Sequence, residues 1–531
     1  MDAATIERRR WRILGVLVLS LLVVVLDSSI LNVALRRLSE PKPQGLATTQ
    51  GELEWVLNAY TLAFAGLLFT WGLLGDRIGR KTMLLGGMAA FGAFSALSAF
   101  SQSPAELIAF RALMGVGAAA VMPATLSIIT NVFEPAERAK AIAIWAGAVG
   151  IAIAGGPVIG GLLLAHFWWG SVFLVNVPIC AVAIVLMVAW VPNSRDPDPG
   201  RLDPLGVALS LTGIVALVFG VIRGADGWGE ALVWLSIGGG VALLAGFVAW
   251  ERRAPSPVLD LDLFRIPQFS AALALTFFAF FALMGEFFMF AFYLQSARGL
   301  SPLGAGLSVV PIAAGQLAFA SRSPLLVARF GANRVTATGI TLMGASYAFF
   351  IAATATTPTW ALELVLLMQG IGMACVMPPT TATIMASIPR EKSGVGSAIG
   401  NTVRQVAGAA GVAVFGTILA SLYRDRVGGT LRMLPALAHN QALLHSVSTS
   451  IAATQAYAAS AGERIASQVA GPAVSAFVSA MHYVALSAAL VAVLGSVVAL
   501  RWLPRRRARA GAVEAQRVPA AEERPPEPAL R

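Results

Sequence analysis

The chain has 531 residues, of which 57% are hydrophobic and only 12% charged, and its mean hydropathy is +0.75; soluble proteins carry about 25% charged residues. This excludes a soluble globular protein and leaves an all-α membrane protein that crosses the bilayer many times. The net charge of +11 would suit a nucleic-acid binder, but the cations sit in short loops between apolar runs, so no nucleic-acid partner is expected.

The first segment, Met1 to Arg12, is basic and precedes an apolar run at 13–35. That run is longer than the roughly 7–15 residues of a signal-peptide core, carries Asp27 and lacks a small-residue cleavage site, so it reads as a retained first helix. Further runs near the roughly 20 residues needed to span a bilayer fall at 55–74, 82–101, 105–131, 141–165, 171–191, 204–222, 231–250, 269–292, 302–321, 335–353, 360–386, 398–420 and 475–502. The prediction is 14 transmembrane helices. An even number places both termini on one side. With the termini cytoplasmic, 27 of the 38 Lys and Arg residues fall inside and 9 outside, with Arg111 and Arg404 within helices, which fixes the orientation by the positive-inside rule. Most tryptophans lie near predicted helix ends, as interfacial belts require.

Several polar residues fall where the composition makes them costly. Asp27 lies inside helix 1, where an ionised, unpaired carboxylate costs several kcal/mol, so it must be paired, protonated or water-lined. Arg111, inside helix 4, stays protonated and needs a carboxylate; both residues fall in the outer halves of their helices and are expected to pair. Between helices 2 and 3, the decamer Gly72-Leu73-Leu74-Gly75-Asp76-Arg77-Ile78-Gly79-Arg80-Lys81 reads as a tight water-facing loop in which Asp76 pairs with Arg77, Arg80 or a helix end. Gly156, Pro157, Gly160 and Gly161 in helix 5 combine a kink with close helix approach. Glu286, in helix 9, is surrounded by phenylalanines and methionines, which suit either a pliable pocket for bulky apolar cations or a second proton site. Arg404 and Gln405 in helix 13 follow Asn401-Thr402-Val403 and read as substrate contacts or packing residues.

The chain also repeats itself. Laying Gly115–Thr125 on Gly370–Thr380 matches seven of eleven positions, equating helix 4 with helix 12. An even separation means that the two copies run the same way. Six helices per half leave helices 7 and 8 as an inserted pair. The expected domains are a six-helix bundle at 1–192, a linker with two extra helices at 193–266, a second bundle at 267–504 that includes a long extracytoplasmic loop at 421–474, and a disordered cytoplasmic tail at 505–531. The loop is expected to hold short helices, either inert or covering the external mouth.

The loop at 72–81 closely resembles the signature loop after the second helix of the major facilitator superfamily. Leu26–Leu35 resembles the helix 1 motif of its fourteen-helix drug:proton antiporters, departing at Ser29, where Thr is usual, and at the following Arg36, where Pro is usual. Leu107–Gly117 is similar to the helix 4 motif, with Met114 where Gln is frequent. Gly155–Gly161 is similar to the motif that marks exporters, with Ala152 replacing its first Gly. The resemblance implies a major facilitator fold in a 6+2+6 arrangement and proton-coupled efflux of lipophilic drugs across the plasma membrane. It implies proton coupling at Asp27 and Arg111, and substrate binding at Asn32, Glu286, Arg404 and Gln405. Gating is implied at Gly72, Asp76, Arg77, Gly79, Arg80, Gly156, Pro157, Gly160 and Gly161. Partners would be drugs, protons and the lipid bilayer, with the chain acting as a monomer. The alternatives are a symporter or importer of a small organic solute and a non-transporting membrane sensor. No phosphate-binding loop, zinc spacing or nucleophile elbow is present in the sequence, so neither cofactor nor enzymatic activity is expected and ion gradients must supply the work.

Overall fold

The computed structural model describes residues 3–504 apart from 40, 41, 43, 44, 47, 49, 196–202, 227, 255–260, 390–392, 435, 436, 438, 439, 449 and 450. The side chains of Asn32 and Pro157, and the predicted tail at 505–531, lie outside the described residues. Every regular element is helical among the described residues, the outcome expected where no water is at hand to satisfy backbone N–H and C=O groups.

The elements in chain order are α1 (Ala3–Ser39), α2 (Gln50–Ile78), α3 (Arg80–Ala99), α4 (Pro104–Val132), α5 (Pro135–His166), α6 (Ser171–Leu174), α7 (Asn176–Trp190), α8 (Pro204–Asp226) and α9 (Ala231–Glu251). Then follow α10 (Pro267–Phe292), α11 (Pro302–Ser308), α12 (Val310–Ala320), α13 (Ser323–Phe330), α14 (Ala332–Phe349), α15 (Thr359–Ala386) and α16 (Ser393–Arg432). The last three are α17 (Gln441–Val447), α18 (Ile451–Ser460) and α19 (Glu463–Trp502). Ten described segments are long and apolar enough to cross a membrane, α6 and α7 together making one of them. The number is twelve if each of two bent pairs is one span, the bends being 48° within α2 and 54° between α12 and α13.

Packing sorts the helices into two groups. α1 lies on α5, and α4 on α2 and α3; in the second group α10 lies on α16, and α15 on α12 and α14. The repeated glycine pair explains why the two groups look alike. A Cβ at Gly115 would collide with the Tyr60 carbonyl of α2, and one at Gly117 would lie 2.8 Å from the Gly87 carbonyl oxygen of α3. Gly370 and Gly372 stand the same way against Ile312 of α12 and Gly339 of α14. Each pair thus lets the fourth helix of its group press backbone to backbone on two neighbours, the close approach that drives membrane-helix association. Tight turns also recur: Gly79 and Gly331, at φ of 110° and 88°, start α3 and α14 in a conformation that only Gly adopts freely. Just beyond them, Arg80 N donates to Ser194 O and Asn333 N to Pro504 O, tying each turn to the chain leaving α7 or α19.

The groups meet where α5 packs on α11, α12 and α15, and where α16 packs on α2 and α4. The α8–α9 hairpin leans on α2 and α16 through α8. The expected loop at 421–474 is shorter than its bounds imply, because α16 runs on to Arg432 and α19 begins at Glu463. Two 40-residue helices therefore project past the expected span ends. α18 lies between them, with Tyr423 Oη donating to Thr454 Oγ1 at 2.7 Å and Gln455 Nε2 donating to Ser296 O at 2.8 Å.

Candidate functional site

Asp27 and Arg111 meet in the interior. Arg111 Nη1 lies 2.5 Å from Asp27 Oδ2, and the two side chains are 1% and 2% exposed. Arg111 Nε donates to Val56 O at 3.3 Å, and its guanidinium lies 4.3 Å from the centre of the Tyr60 ring. The other carboxylate oxygen, Oδ1, accepts from Asn176 Nδ2 at 2.8 Å; the same amide nitrogen donates to Ser95 Oγ at 3.0 Å, and Ser95 Oγ donates to Phe173 O at 2.8 Å. Four helices and the α6–α7 break therefore converge on one carboxylate. Removing one partner of such a pair strands a charge at a cost of about 3–5 kcal/mol, whereas apolar replacement of a whole pair is often neutral, so stability alone does not explain its presence.

The glycines of α5 set the position of Asp27. Ser29 Oγ donates to Ala152 O at 3.0 Å, and Gly156 lies so close to Ser29 that a Cβ there would sit 2.9 Å from Ile30 N. Gly160 backs on Ile30, while Gly161 is half-buried. α5 continues through Pro157 as helix.

Asp76 Oδ1 accepts from Arg80 Nε at 2.7 Å, and both side chains are buried. Lys81 Nζ donates to Val188 O at 2.9 Å, so these contacts tie α2, α3 and α7, all within the first group. Gly72 is buried in α2 and Arg77 is half-buried at its end.

The second buried carboxylate has different surroundings. Glu286, 4% exposed, accepts a short hydrogen bond from Gln369 Nε2 at its Oε2, and its buried Oε1 has no partner. Gln369 also lines a small cavity with Leu283, Phe287, Gln316 and Met373, closed on the other side by Gly150 of α5. The cavity therefore lies between the two groups. Arg404 is in a third cluster: its Nη1 donates to Asn401 Oδ1 at 2.7 Å and its Nη2 to Thr381 Oγ1 at 3.0 Å. The guanidinium lies 5.5 Å from the Trp145 ring of α5 and 5.7 Å from Phe280, without an ion pair among the described residues. Gln405 beside it is half-buried. Close by in sequence to Trp145, Ala146 O accepts from Gln316 Nε2 at 3.2 Å.

The sequence profile described as "Major Facilitator Superfamily" matches residues 17–412. The chain belongs to that superfamily. The multidrug efflux pump LfrA of Mycolicibacterium smegmatis is 36% identical over 421 residues, covering 79% of this chain and 82% of LfrA. The tetracenomycin C resistance and export protein of Streptomyces glaucescens is 33% identical over 425 residues, covering 80% and 78%. The human organic anion transporter MFSD10 shares the fold, with a TM-score of 0.56 and 16% identity over 92% of this chain and 99% of its own. As a member of the major facilitator superfamily with many apolar helices, this is a multi-pass protein of the plasma membrane.

Sequence reasoning on this major facilitator protein pairs Asp27 with Arg111 but misses Asn176, Ser95 and Tyr60, which complete the cluster, and Gln369, which holds Glu286. Gln369 was within reach: the internal repeat lays it on Met114, one helical turn beyond Arg111. Asn176, a neutral residue two positions before Pro178, offers no comparable signal.

Proposed function

We propose that this protein is a proton-coupled exporter of lipophilic drugs or antibiotics, with fourteen spans arranged 6+2+6 and both termini cytoplasmic. The observation that carries the reading is the buried Asp27–Arg111 pair, with both carboxylate oxygens hydrogen-bonded. A proton reaching Asp27 from outside neutralises the carboxylate and removes the attraction that holds Arg111. The conformation that keeps the two together then loses its advantage over one that parts them. Each proton moving inward supplies about 2.3 kcal/mol per 100 mV of membrane potential. The same work drives a drug outward from the cavity near Glu286 and Gln369, whose lining of Phe287, Leu283 and Met373 suits flexible, apolar recognition. The names of LfrA and the tetracenomycin exporter support drugs as cargo.

In this orientation the contacts of Trp145 with Arg404 and of Ala146 with Gln316 lie toward the cytoplasm and act as a closed inner gate. Asp76 and Arg80 brace the cytoplasmic ends of α2 and α3. The α8–α9 pair is the insertion, and the matched glycine contacts of α4 and α15 support two six-helix bundles.

The test uses energised inverted vesicles with a pH-sensitive dye. Addition of cationic, neutral and anionic drugs in turn should provoke proton release from vesicles carrying the native protein and none from those carrying folded Asp27→Asn. Drug-driven proton release that persists in Asp27→Asn would remove Asp27 from the mechanism, and no release by the native protein with any drug would remove antiport.

A further inference from the structure

Asn176 opens α7, next to the break at Val175 in the sixth predicted span, where α6 ends at Leu174. Its side chain is 0% exposed. The two hydrogens of Nδ2 are committed, one to Asp27 Oδ1 and one to Ser95 Oγ, yet its own Oδ1 is buried with no hydrogen-bond partner. Leaving an amide oxygen unsatisfied in such a place is costly, and native interiors rarely do so without a reason.

We infer that Asn176 is a positioning residue that reads the protonation state of Asp27 by turning its amide. The inference rests on the reading of Asp27 as the proton carrier. With Asp27 ionised, the amide must show Nδ2 to the carboxylate, because an ionised carboxylate only accepts. When a proton adds to Asp27 Oδ1, an O–H bond forms there and a donor faces a donor. A half-turn of the amide resolves the conflict: Oδ1, now in the place of Nδ2, accepts from the new hydroxyl. Ser95, which has lost its donor, rotates its own hydroxyl from Phe173 O to the same amide oxygen. Arg111 keeps its proton throughout. The net result is one proton gained at Asp27, both Nδ2 hydrogens turned to the side where Oδ1 had no partner, and one hydrogen bond withdrawn from the Phe173 carbonyl of α6.

The placement gives that loss a structural consequence. Phe173 also turns its ring toward Arg111, 5.9 Å from the guanidinium, so the residue released by Ser95 is one that flanks the partner of Asp27. Protonation in α1 thereby reaches the α6–α7 break through two side chains. Among the described residues, the titratable and charged groups facing Asp27 are Arg111 of α4, Tyr60 of α2 and Cys180 of α7. α5 keeps its own charged residues and His166 at its two ends, and α3 has Arg80 and Lys81 at its start. Arg111 only donates, and the Tyr60 hydroxyl is engaged with Val24 O at 3.4 Å, so the amide bonded to Asp27 Oδ1 is the group placed to present either a donor or an acceptor.

The test compares the pH profile of drug-driven proton exchange in native, Asn176→Leu and Ser95→Ala proteins, with Asp27→Asn as reference. Leu fills a similar volume but cannot donate to the carboxylate, so the half-maximal pH should move up by about 1 unit, the size of one hydrogen bond to a charged group. The drug KM should stay within about twofold, since the amide does not line the drug cavity. Ser95→Ala should shift it in the same direction by less. A uniform loss of rate with no shift overturns the inference and leaves Asn176 a packing residue. Activity retained in Asp27→Asn overturns the proton-carrier reading itself, whereas a silent Asp27→Asn with an unshifted Asn176→Leu overturns the amide switch alone. Infrared difference spectra of the unaltered protein on acidification supply an arm that needs no variant to fold. An asparagine carbonyl band should change together with the appearance of the Asp27 carboxylic acid, and a constant amide band overturns the switch.

Discussion

Gln369 donates to one oxygen of Glu286 and leaves the other unpartnered, whereas the corresponding fourth helix of the first group sends Arg111 to Asp27. Both carboxylates lie on the first helix of their group, and both are met from the fourth. Among the described residues, only the first meets a cation. The first site is electrically balanced as it stands; the second balances only when a proton or a cationic ligand arrives, because an isolated buried charge is too costly to persist. The internal repeat thus supplies two similar frames whose fourth helices differ at two positions one turn apart: Arg111 lies on Leu366, and Met114 on Gln369.

Glu286→Gln therefore should divide substrates by charge. Export of monocationic drugs should fall at least about tenfold, equivalent to about 1.4 kcal/mol of lost interaction, while neutral drugs should be carried at close to the native rate. Dose–response growth assays with both classes, backed by uptake into inverted vesicles, would read the difference. Equal loss of both classes would assign Glu286 to proton transfer instead of drug recognition.

The repeated glycine pairs predict an asymmetry between positions of the same residue type. Gly370→Val places a branched side chain against the Ile312 backbone and Gly115→Val one against Tyr60; overpacking of this kind costs about 1–3 kcal/mol. At Gly238, on α9, a Cβ would meet nothing within 4 Å, so Gly238→Ala should be neutral or mildly stabilising through its better helix propensity. Thermal unfolding of the detergent-solubilised protein should show a lower Tm for the first two and no decrease for the third.

Asp76→Asn retains shape while removing the charge that pairs with buried Arg80. Removing one charge of a buried ion pair costs up to about 3–5 kcal/mol, so Tm should fall. Arg80→Leu should cost less in this background than alone, since the partner charge is already gone. A double-mutant cycle on Tm measures the coupling, and additive effects would show that the two residues act independently.

The parts of this molecule legible in its sequence are those where physics tolerates few alternatives. An Asp and an Arg in apolar runs must find each other, and Gly79 between charged residues must turn. Every regular element among the described residues is helical, and ten to twelve segments are long and apolar enough to span, because an unbonded backbone is untenable in lipid. What escapes is set by tertiary contact. Asn176 is polar but uncharged, so nothing in its neighbourhood demands a partner. The continuation of α16 to Arg432 follows an Ala-, Leu- and Arg-containing stretch in which Gly428 and Gly429 are tolerated without ending the helix; composition alone marks that stretch as loop. The inner contact between Trp145 and Arg404 joins residues 259 positions apart that follow no common spacing.

That inner contact yields the last prediction. A Cβ added at Gly147 would lie 3.1 Å from the Cβ of Ala320, slightly inside the roughly 3.5–4.5 Å that a disulfide spans, so a small shift suffices to form one. Gly147→Cys with Ala320→Cys should cross-link under mild oxidation and fix α5 to α12 on the side assigned to the cytoplasm. If the groups separate there to admit drug, the oxidised protein should lose export while still binding drug from the outside, and a reductant should restore transport. Cys180 and Cys375 are buried and are replaced by Ala in the same background, so that only the introduced pair reports. A cross-linked protein that exports at the native rate would show that α5 and α12 move as one body, and the opening would then have to be sought along α16, where it meets α2 and α4.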